Sequence, residues 1–293
     1  MPEMPDLEVY RKALETRTAG SELVGIRLAN PFVLRSVEPT IEELTGQRVV
    51  RISRLAKRLV VELEDECFIA IHLMIAGRLH WIPPGKRAGR SPLITFDFDS
   101  GTLTMTEAGK KRRASVHLVR GADSLAELDP GGLEIFDISA DEFRACLASE
   151  NHTLKRSLTD QRFLAGIGNA YSDEILHHAR LSPMRQIRQL ADDEWLSLFE
   201  SCKSVLKAWI ERLDQKAGNE FPEKVTAFHE EMAVHGKYKQ PCVDCGNPIQ
   251  RIRYATNECN YCAYCQNQGN LLADRSLSRL LKKDWPRKLE ELG

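Results

Sequence analysis

The chain has 293 residues, of which 42% are hydrophobic and 28% charged, and its formal net charge is −1. This length predicts two domains, and the composition excludes a collagenous, low-complexity or broadly disordered protein. The longest apolar stretch, Cys67 to Ile82, is interrupted by three basic or histidine residues and is shorter than the ~20 residues of a membrane span. We therefore expect no membrane association. Because acidic residues rather than a secretory signal open the sequence, we expect a cytoplasmic location.

The first half of the chain is predicted to be mostly β-structure after one helix. The apolar spacing predicts the helix over Pro5 to Thr16, and strand patterns continue to about residue 120, including Arg51 to Leu63 and Cys67 to Ile82. Within the first of these strands, Lys57 falls on an otherwise apolar face. Such a lysine either extends to the edge of the sheet or points into a cleft. His72, in the next strand, is either a hydrogen-bonded core residue or a functional one.

Charge is unevenly distributed in the middle of the chain. Residues 109–120 contain no acid and five basic residues, which are Lys110, Lys111, Arg112, Arg113 and Arg120. Residues 121–150 then carry eight acids against Arg144 alone. The basic strip fits either a solvated face or a contact with a polyanion. The acidic tract, with Asp129-Pro130-Gly131-Gly132 at its centre, predicts a linker over residues 131–150.

The second half changes to a helical period. An apolar stripe from Trp195 to Leu213 predicts a long helix, and two helical segments between Lys155 and Pro183 flank the turn Gly166-Ile167-Gly168-Asn169. Glycines permit close backbone approach, and the start of the following helix presents N–H groups to an anion. The predicted domains are residues 1–130 and, beyond the linker, a helical domain (151–235), a finger (236–270) and a tail (271–293).

Five of the eight cysteines are clustered near the C-terminus. Cys242, Cys245, Cys262 and Cys265 form the pattern C-x2-C-x16-C-x2-C, which is the spacing of a closed tetrahedral zinc site on a β-hairpin. Four thiolates leave no open position for water, so this zinc is expected to be structural. Cys259 is either a competing ligand or a small filler of the hairpin. Disulfides are disfavoured because a cytosolic location is expected.

Four blocks of sequence together resemble the formamidopyrimidine-DNA glycosylase and endonuclease VIII family over nearly the whole chain. The blocks are Pro2-Glu3-x-Pro5-Asp6-x-Glu8, Arg54-x-Ala56-Lys57 with His72-Leu73, the segment Asp160 to Glu174, and the four-cysteine finger ending in Gln266. The resemblance implies an α+β protein of two domains. These are an N-terminal β-sandwich with flanking helices and a C-terminal helical domain with a helix-two-turn-helix and a zinc-finger β-hairpin. Damaged DNA is expected in the cleft between them.

The resemblance implies a base-excision DNA glycosylase with AP (β/δ) lyase activity on oxidised bases or abasic sites. Once Met1 is removed, Pro2 exposes a secondary amine whose reference pKa is roughly 7.7–8.0, low enough for a nucleophile near neutrality. Glu3 is placed to protonate the opening sugar ring, and Lys57 to hold a phosphate or assist the leaving base. Further expectations are one structural Zn²⁺, no small-molecule cofactor, damaged double-stranded DNA as partner, a monomer, and nucleoid association.

The same resemblance implies that Lys155 and Asn169 grip the DNA backbone, and a DNA contact is also expected from His72. Met74 or Ile75 is a candidate wedge for the base stack, and Arg112, Arg113 or Arg253 is a candidate source of positive charge, but none of these residues matches the family by position. Three departures separate this chain from the family pattern. Met74-Ile75 and the segment Thr106 to Ser115 replace the Gly-Met and the Arg-x-Phe loop of the oxidised-purine enzymes. Asp6 replaces a glutamate, and the finger arginine is missing because Thr256-Asn257-Glu258-Cys259 stands in its place. Weak activity on 8-oxoguanine is therefore expected.

Two other functions stay open on the sequence. One is a non-catalytic protein that binds damaged DNA with the same clamp, which retention of Met1 would favour. The other is a zinc-ribbon nucleic-acid adaptor whose resemblance to the family ends at the finger.

Overall fold

The computed structural model of the protein describes residues 1–86, 92–108, 112–223, 225–226, 228–254, 257–274 and 286–292. The chain divides into two compact units. The first comprises Met1–Pro130 and Trp209–Thr226, and the second comprises Gly131–Ala208 and Ala227–Gly293. No helix in this described part of the chain combines the length and the hydropathy that a membrane span requires.

The first unit begins with helix α1, Met4–Thr18. Pro5 lies in its first turn, where the missing N–H costs no hydrogen bond, and the carboxylate of Asp6 accepts the backbone N–H of Glu3. The predicted helix is thus confirmed and extends slightly further at both ends. Its buried stripe consists of Leu7, Tyr10 and Leu14, all 0% exposed.

Two antiparallel four-stranded sheets follow. The strands in the described residues of this unit are β1 (Leu23–Leu28), β2 (Val49–Leu55), β3 (Arg58–Leu63), β4 (Cys67–His72), β5 (Gly77–Ile82), β6 (Ile94–Phe98), β7 (Gly101–Glu107) and β8 (Ser115–Arg120). One sheet has the order β1-β6-β7-β5 and the other β2-β3-β4-β8. Both sheets contribute to one apolar core with helix α1. Two short helices, α2 (Ile41–Leu44) and α3 (Ala122–Ala126), complete the expected β-sandwich with flanking helices.

The single strand predicted over residues 51–63 is wrong, because it is a hairpin. Strands β2 and β3 pair antiparallel with Leu55 opposite Arg58, and Lys57 lies in the two-residue turn rather than on a strand face. Ala56 occupies the turn's left-handed position with φ 49°. The alternation of apolar residues continues through the turn because both faces of this sheet are covered. Leu55 packs on the outer face, whereas Leu59 lies in the core between the sheets.

The single strand predicted over residues 67–82 is also wrong. Strands β4 and β5 belong to different sheets, so the residues between them carry the chain from one layer of the sandwich to the other. This connection is tight at Gly77, where an added Cβ would lie 2.3 Å from the carbonyl oxygen of Leu73. The apolar residues of the loop, including Leu73, conceal the break from a reading of hydrophobicity alone.

The second unit is helical, with a β-hairpin near its C-terminal end. Its elements are α4 (Ala140–Ala148), α5 (Leu154–Thr159), α6 (Asn169–His178), the first part of α7 (Asp192–Ala217), the hairpin β9 (Gln250–Arg253) and β10 (Glu258–Tyr261), and α8 (Ala263–Asn267). Helices α5 and α6 flank the glycine turn as predicted. The last part of α7 groups with the first unit, as do the residues up to Thr226, although the sequence predicts a single helical domain over 151–235.

The predicted linker over residues 131–150 is wrong. Helix α4 occupies its second half, begins at the cap Ser139, and buries Phe143 and Leu147 completely. Ile135, ahead of the helix, is also fully buried. Two of the acids that suggested a linker, Asp141 and Glu142, lie in the exposed first turn of this amphipathic helix, where they stabilise the helix dipole. Much of the predicted tail, residues 275–285 and 293, lies outside the described residues.

Candidate functional site

The N-terminus of the chain is buried at the start of helix α1. Pro2 is buried, Glu3 is 2% exposed and Asp6 is 0% exposed. The backbone N–H of Glu3 donates to Oδ2 of Asp6 at 2.8 Å, which closes the first turn of the helix. The acidic residues Glu3 and Asp6 are thereby fixed close to Pro2, which carries the predicted nucleophile.

Four charged side chains act on the amino group of Met1. Burial lowers the pKa of this amine, the charges of Glu3 and Asp6 oppose the lowering, and those of Arg78 and Lys57 add to it. A lowered pKa increases the unprotonated, nucleophilic fraction of an amine at neutral pH. The charges of Glu3 and Lys57 thus act on the same amine. The structure adds Arg78, which the sequence analysis treated only as an interruption of an apolar run.

Lys57 is held in place by a buried arginine. Nη1 of Arg54 donates to the carbonyl oxygen of Ala56 at 2.8 Å, and its Nε lies 3.0 Å from Oε1 of Glu8 in helix α1. The Arg54 side chain is 7% exposed, and Lys57 is 7% exposed as well. The pair of Arg54 and Glu8 therefore ties the β2–β3 turn to helix α1, which directly follows Pro2 and Glu3.

His72 ends strand β4 as a neutral imidazole. Its Nδ1 accepts the backbone N–H of Met74 at 3.1 Å, so the proton of the neutral ring is on Nε2. Burial lowers the pKa of His72 to about 4, with further lowering by the charges of Arg58, Lys57 and His117. His72 thus offers an uncharged N–H donor near Lys57.

The two predicted wedge residues follow in the β4–β5 loop. Met74 is half-buried and holds a left-handed backbone with φ 52°, which its hydrogen bond to His72 supports. Ile75, the next residue, is 60% exposed. An exposed branched side chain at the tip of a loop braced in this way is available for contact with a partner, and of the two residues Ile75 is the better placed to enter a base stack.

Two arginines of the basic strip, Arg112 and Arg113, precede strand β8, and Arg120 ends it. The carboxylate of Glu107 accepts the backbone N–H of Arg113 at 2.9 Å and that of Ala114 at 3.1 Å, which ties the end of β7 to the residues before β8. Arg112 and Arg113 are both exposed. Lys110 and Lys111 lie outside the described residues.

In the second unit, Lys155 and Asn169 meet at the start of helix α6. Nζ of Lys155 lies 2.5 Å from the carbonyl oxygen of Asn169 and 2.5 Å from Oδ1 of Asp173. The Asn169 side chain donates to the carbonyl oxygen of Glu258 in β10 at 2.8 Å. Gly166, with φ 79°, supplies the left-handed turn that the sequence predicts. The two residues thus come together, but Lys155 is 8% exposed and already paired.

Asp173 is the centre of a network that the sequence analysis missed. Its carboxylate accepts from Lys155, from Nδ1 of His235 at 2.8 Å and from the backbone N–H of Asn260 at 3.0 Å. Burial opposes ionisation, yet Lys155 and His235 hold the pKa of Asp173 below its usual value. The only signal in the sequence is the pair Asp173-Glu174 within an otherwise buried helix.

The neighbouring acid, Glu174, anchors a second segment. Its carboxylate accepts the backbone N–H groups of Ala233, Val234 and His235 at 2.7–2.9 Å. Asp173 and Glu174 together fasten helix α6 to the chain that enters the finger and to strand β10 of the finger itself.

Four cysteine sulfurs converge at the base of the hairpin. The Sγ atoms of Cys242 and Cys265 are 3.9 Å apart, those of Cys245 and Cys262 are 3.4 Å apart, and all four lie within 4.8 Å of one another. Thiolates bound to zinc at ~2.3 Å in a tetrahedron lie about 3.8 Å apart. The four residues therefore fit a metal ion of this size.

A histidine from helix α6 approaches this cluster. Nε2 of His177 lies 3.3 Å from Sγ of Cys242, and its side chain is 4% exposed. Cys259, in contrast, packs with Ile252 and Tyr261 in a separate apolar cluster, and burial raises the pKa of its thiol well above the usual value. Cys259 is therefore the filler of the hairpin.

The finger hairpin places Arg253 at the end of β9 with an exposed side chain. Its backbone N–H donates to Oδ2 of Asp274 at 2.8 Å. The turn is closed by the backbone N–H of Tyr254, which donates to the carbonyl oxygen of Asn257 at 2.8 Å. Thr256 lies outside the described residues.

Comparison with known proteins decides the family. The model of the formamidopyrimidine-DNA glycosylase N-terminal domain matches residues 1–116, and that of the formamidopyrimidine-DNA glycosylase H2TH domain matches residues 132–219. The formamidopyrimidine-DNA glycosylase of Heliobacterium modesticaldum is 30% identical over 91% of this chain and 100% of its own length. The chain belongs to the formamidopyrimidine-DNA glycosylase family. The enzyme of Herpetosiphon aurantiacus is also 30% identical over the same shares.

Solved structures of this family agree with the fold. A Lactococcus lactis FPG mutant in complex with Fapy-dG-containing DNA superposes with a TM-score of 0.80 at 26% identity, covering 91% of this chain and 100% of that chain. A MutM complex with carbocyclic 8-oxo-G-containing DNA gives the same TM-score, identity and coverage. The β-sandwich, the helix-two-turn-helix and the four-cysteine finger described above are the parts of this fold.

Proposed function

We propose that this member of the family is a base-excision DNA glycosylase with AP lyase activity that uses the amine of Pro2 as its nucleophile. The observation that carries this proposal is the environment of the chain start. The amine of Met1, the residue before Pro2, has its pKa lowered by burial, and the charges acting on it come from Glu3, Asp6, Lys57 and Arg78. Proximity of a deprotonated amine to a proton donor is what a Schiff-base reaction at a sugar carbon requires.

The reaction proceeds in balanced steps once Met1 has been removed. The Pro2 nitrogen lone pair forms a bond to the anomeric carbon, the bond from that carbon to the damaged base breaks, and the base leaves with the electron pair and takes up a proton. Glu3 protonates the ring oxygen as the sugar opens to an iminium. The iminium accepts electrons from the adjacent C–H bond, so loss of that proton expels the 3′ phosphate. Hydrolysis then frees Pro2.

Lys57 and His72 are proposed to hold the phosphate next to the reacting sugar. Lys57 offers a positive charge from the β2–β3 turn, and His72 offers a neutral N–H from the end of β4 in the same sheet. Ile75 fills the space that the flipped nucleotide leaves, with Met74 bracing its loop. Arg112 and Arg113 add sequence-independent attraction for the DNA backbone.

The second unit is proposed to bind the same duplex through helix α6. Its first N–H groups and Asn169 are placed for a phosphate, while Lys155 orders the turn through Asp173. One zinc ion bound by Cys242, Cys245, Cys262 and Cys265 would fix the hairpin that carries Arg253. Damaged double-stranded DNA is thus the proposed partner.

A substitution at Glu3 distinguishes excision of the base from cleavage of the strand. We expect Glu3→Gln to slow excision of an intact oxidised base by at least about a hundredfold, and to slow strand cleavage at a preformed abasic site much less, since only the first step opens a glycosylated ring. Single-turnover gel assays on the two substrates measure both rates. Absence of both activities in the wild-type protein would overturn the enzymatic proposal and favour a protein that only binds damaged DNA.

A further inference from the structure

A cavity in the first unit lies against strands β5 and β7. Its volume is about 680 Å³, and its lining includes Arg78, His80, Thr104, Thr106, Arg112 and Glu223. This volume falls within the usual range of sites for small organic ligands. The guanidinium groups of Arg78 and Arg112 and the carboxylate of Glu223 favour a polar ligand over an apolar one.

The pairing of β5 with β7 explains the polar wall. Arg78 lies opposite Thr106 and His80 opposite Thr104, so these four side chains share one face of the sheet. The residues between them in sequence, Leu79 and Met105 among them, face the apolar core.

Arg78 connects this cavity to the N-terminus. The backbone N–H of Leu79, the next residue, donates to the Tyr10 hydroxyl at 3.3 Å, which docks β5 against helix α1. The charge of Arg78 acts both on Tyr10 and on the amine of Met1. The charge of Arg78, a residue that lines the cavity, therefore also acts at the start of the chain.

The guanidinium group of Arg78 retains donors for a ligand. Its hydrogen bonds to the described residues both leave from Nη1, to the carbonyl oxygens of Gly77 at 2.6 Å and Ile75 at 3.4 Å. These bonds fix the position of the group, because they join it to the loop that carries Ile75. Nε and Nη2 remain for a planar acceptor pair.

We propose that this cavity receives the flipped damaged base and that Arg78 determines specificity by donating hydrogen bonds to carbonyl oxygens of that base. This inference rests on the proposed function, since it needs a flipped nucleotide at Pro2. Guanidinium donors match carbonyl oxygens, and the Glu223 carboxylate matches a ring N–H. An oxidised pyrimidine that presents C=O, N–H and C=O in succession, such as 5-hydroxyuracil, offers this pattern.

The test compares an intact lesion with sites that have no base. DNA duplexes carrying 5-hydroxyuracil, a preformed abasic site, or the uncleavable tetrahydrofuran analogue are assayed with Arg78→Ala, Arg78→Lys and the control Arg27→Ala. Arg27 is an exposed arginine on β1 of the same sheet, paired with Asp97 at 2.9 Å.

We expect Arg78→Ala to slow 5-hydroxyuracil excision about tenfold more than it slows abasic-site cleavage, which is the usual loss for a charged hydrogen bond, because any effect of the Arg78 charge on the N-terminal amine is common to both substrates. Arg78→Lys should fall between Arg78→Ala and wild type, and Arg27→Ala should match wild type. Equal losses on both substrates would mean that Arg78 only shapes the loop, and no loss on 5-hydroxyuracil would mean that it does not read the base. Either result overturns the inference.

Affinity measurements test the inference independently of catalysis. In a Glu3→Gln background, the ratio of affinities for 5-hydroxyuracil and tetrahydrofuran duplexes should fall about tenfold when Arg78→Ala is added. The wild-type protein could cleave no DNA while the affinity ratio still depends on Arg78. That result would overturn the proposed function but support the cavity as a binding site for the base. An unchanged ratio overturns the pocket whether or not the protein cleaves DNA.

Discussion

Nζ of Lys155 lies 2.5 Å from Oδ1 of Asp173, whose side chain is completely buried. The lysine predicted to grip a DNA phosphate therefore already has its charge offset within the protein. Removing one partner of a buried pair leaves an uncompensated charge and is strongly destabilising. This relationship changes what a substitution at either position is expected to do.

Asp173→Asn should reduce the free energy of unfolding by about 3 kcal/mol, because it removes the charge that pairs with Lys155 and accepts from His235. Urea denaturation followed by circular dichroism measures the loss. Asp192→Asn is the matched control, since the Asp192 carboxylate pairs with Arg144 while 86% exposed, and it should cost less than about 1 kcal/mol. Similar losses for the two variants would show that the buried pair contributes no more than a surface pair.

The salt dependence of DNA binding distinguishes the proposed roles of Arg112 and Lys155. Arg112→Ala should lower the slope of log Kd against log salt by about 0.9, the value for one lost phosphate contact. Lys155→Ala should weaken binding for all sequences but lower the slope by less, because Asp173 neutralises Lys155. Fluorescence anisotropy at four salt concentrations gives the slopes. A full unit of slope lost with Lys155→Ala would show that Lys155 leaves Asp173 to meet a phosphate.

The zinc site should depend on His177 as well as on the four thiolates. Cys262→Ser should prevent stoichiometric zinc binding, whereas Cys146→Ser, outside the cluster, should retain it. His177→Phe preserves the ring volume but removes the N–H next to Cys242, so zinc should be lost to a chelator roughly tenfold faster. Competition with a chromogenic chelator measures the rate. An unchanged rate for His177→Phe would limit that residue to packing.

His72 should make stability depend on pH. Its pKa is about 4 in the folded protein, against roughly 6.5 when unfolded. Between these values the unfolded state binds more protons, so the free energy of unfolding falls as pH drops from about 6.5 to 4. His72→Gln should reduce this dependence by on the order of 1–2 kcal/mol over that range. Identical pH profiles for the two proteins would contradict a buried neutral His72.

Lys57 should depend on Arg54 for its position. Lys57→Ala should slow turnover by orders of magnitude more than it weakens binding. Arg54→Lys should show a smaller loss of the same kind, because lysine can pair with Glu8 but cannot also hold the Ala56 carbonyl in the same geometry. Single-turnover rates and Kd values on one abasic duplex separate the two effects. A loss of binding without a loss of rate would place Lys57 outside the reaction.

The parts predicted correctly from sequence depend on local spacing. Helix α1, the glycine turn before helix α6 and the four-cysteine cluster are each specified within a short segment. Glycine at Gly166 predicts a turn, and the paired C-x2-C motifs predict a metal site. Neither prediction needs a contact with a distant part of the chain.

The parts that were missed depend on contacts between distant residues or on unusual turns. His235 and Asp173 are 62 positions apart, and nothing near either residue indicates the other. The turn at Ala56 lacks the glycine or asparagine that normally marks a left-handed residue, so Lys57 was assigned to a strand. Arg78 acts on the N-terminal amine only because β5 packs beside helix α1. This packing depends on the tertiary fold and not on the local sequence.

Borohydride trapping on abasic-site DNA tests the central claim most directly. Intact mass spectrometry first establishes that Met1 is absent from the purified protein. The reductant then converts the iminium between Pro2 and the sugar into a stable tertiary amine, so we predict a covalent adduct of one protein and one DNA strand. A protein that retains Met1 should form none, and Pro2→Gly should still form some. No adduct from a protein whose mass proves that Met1 is gone would contradict Pro2 as the nucleophile.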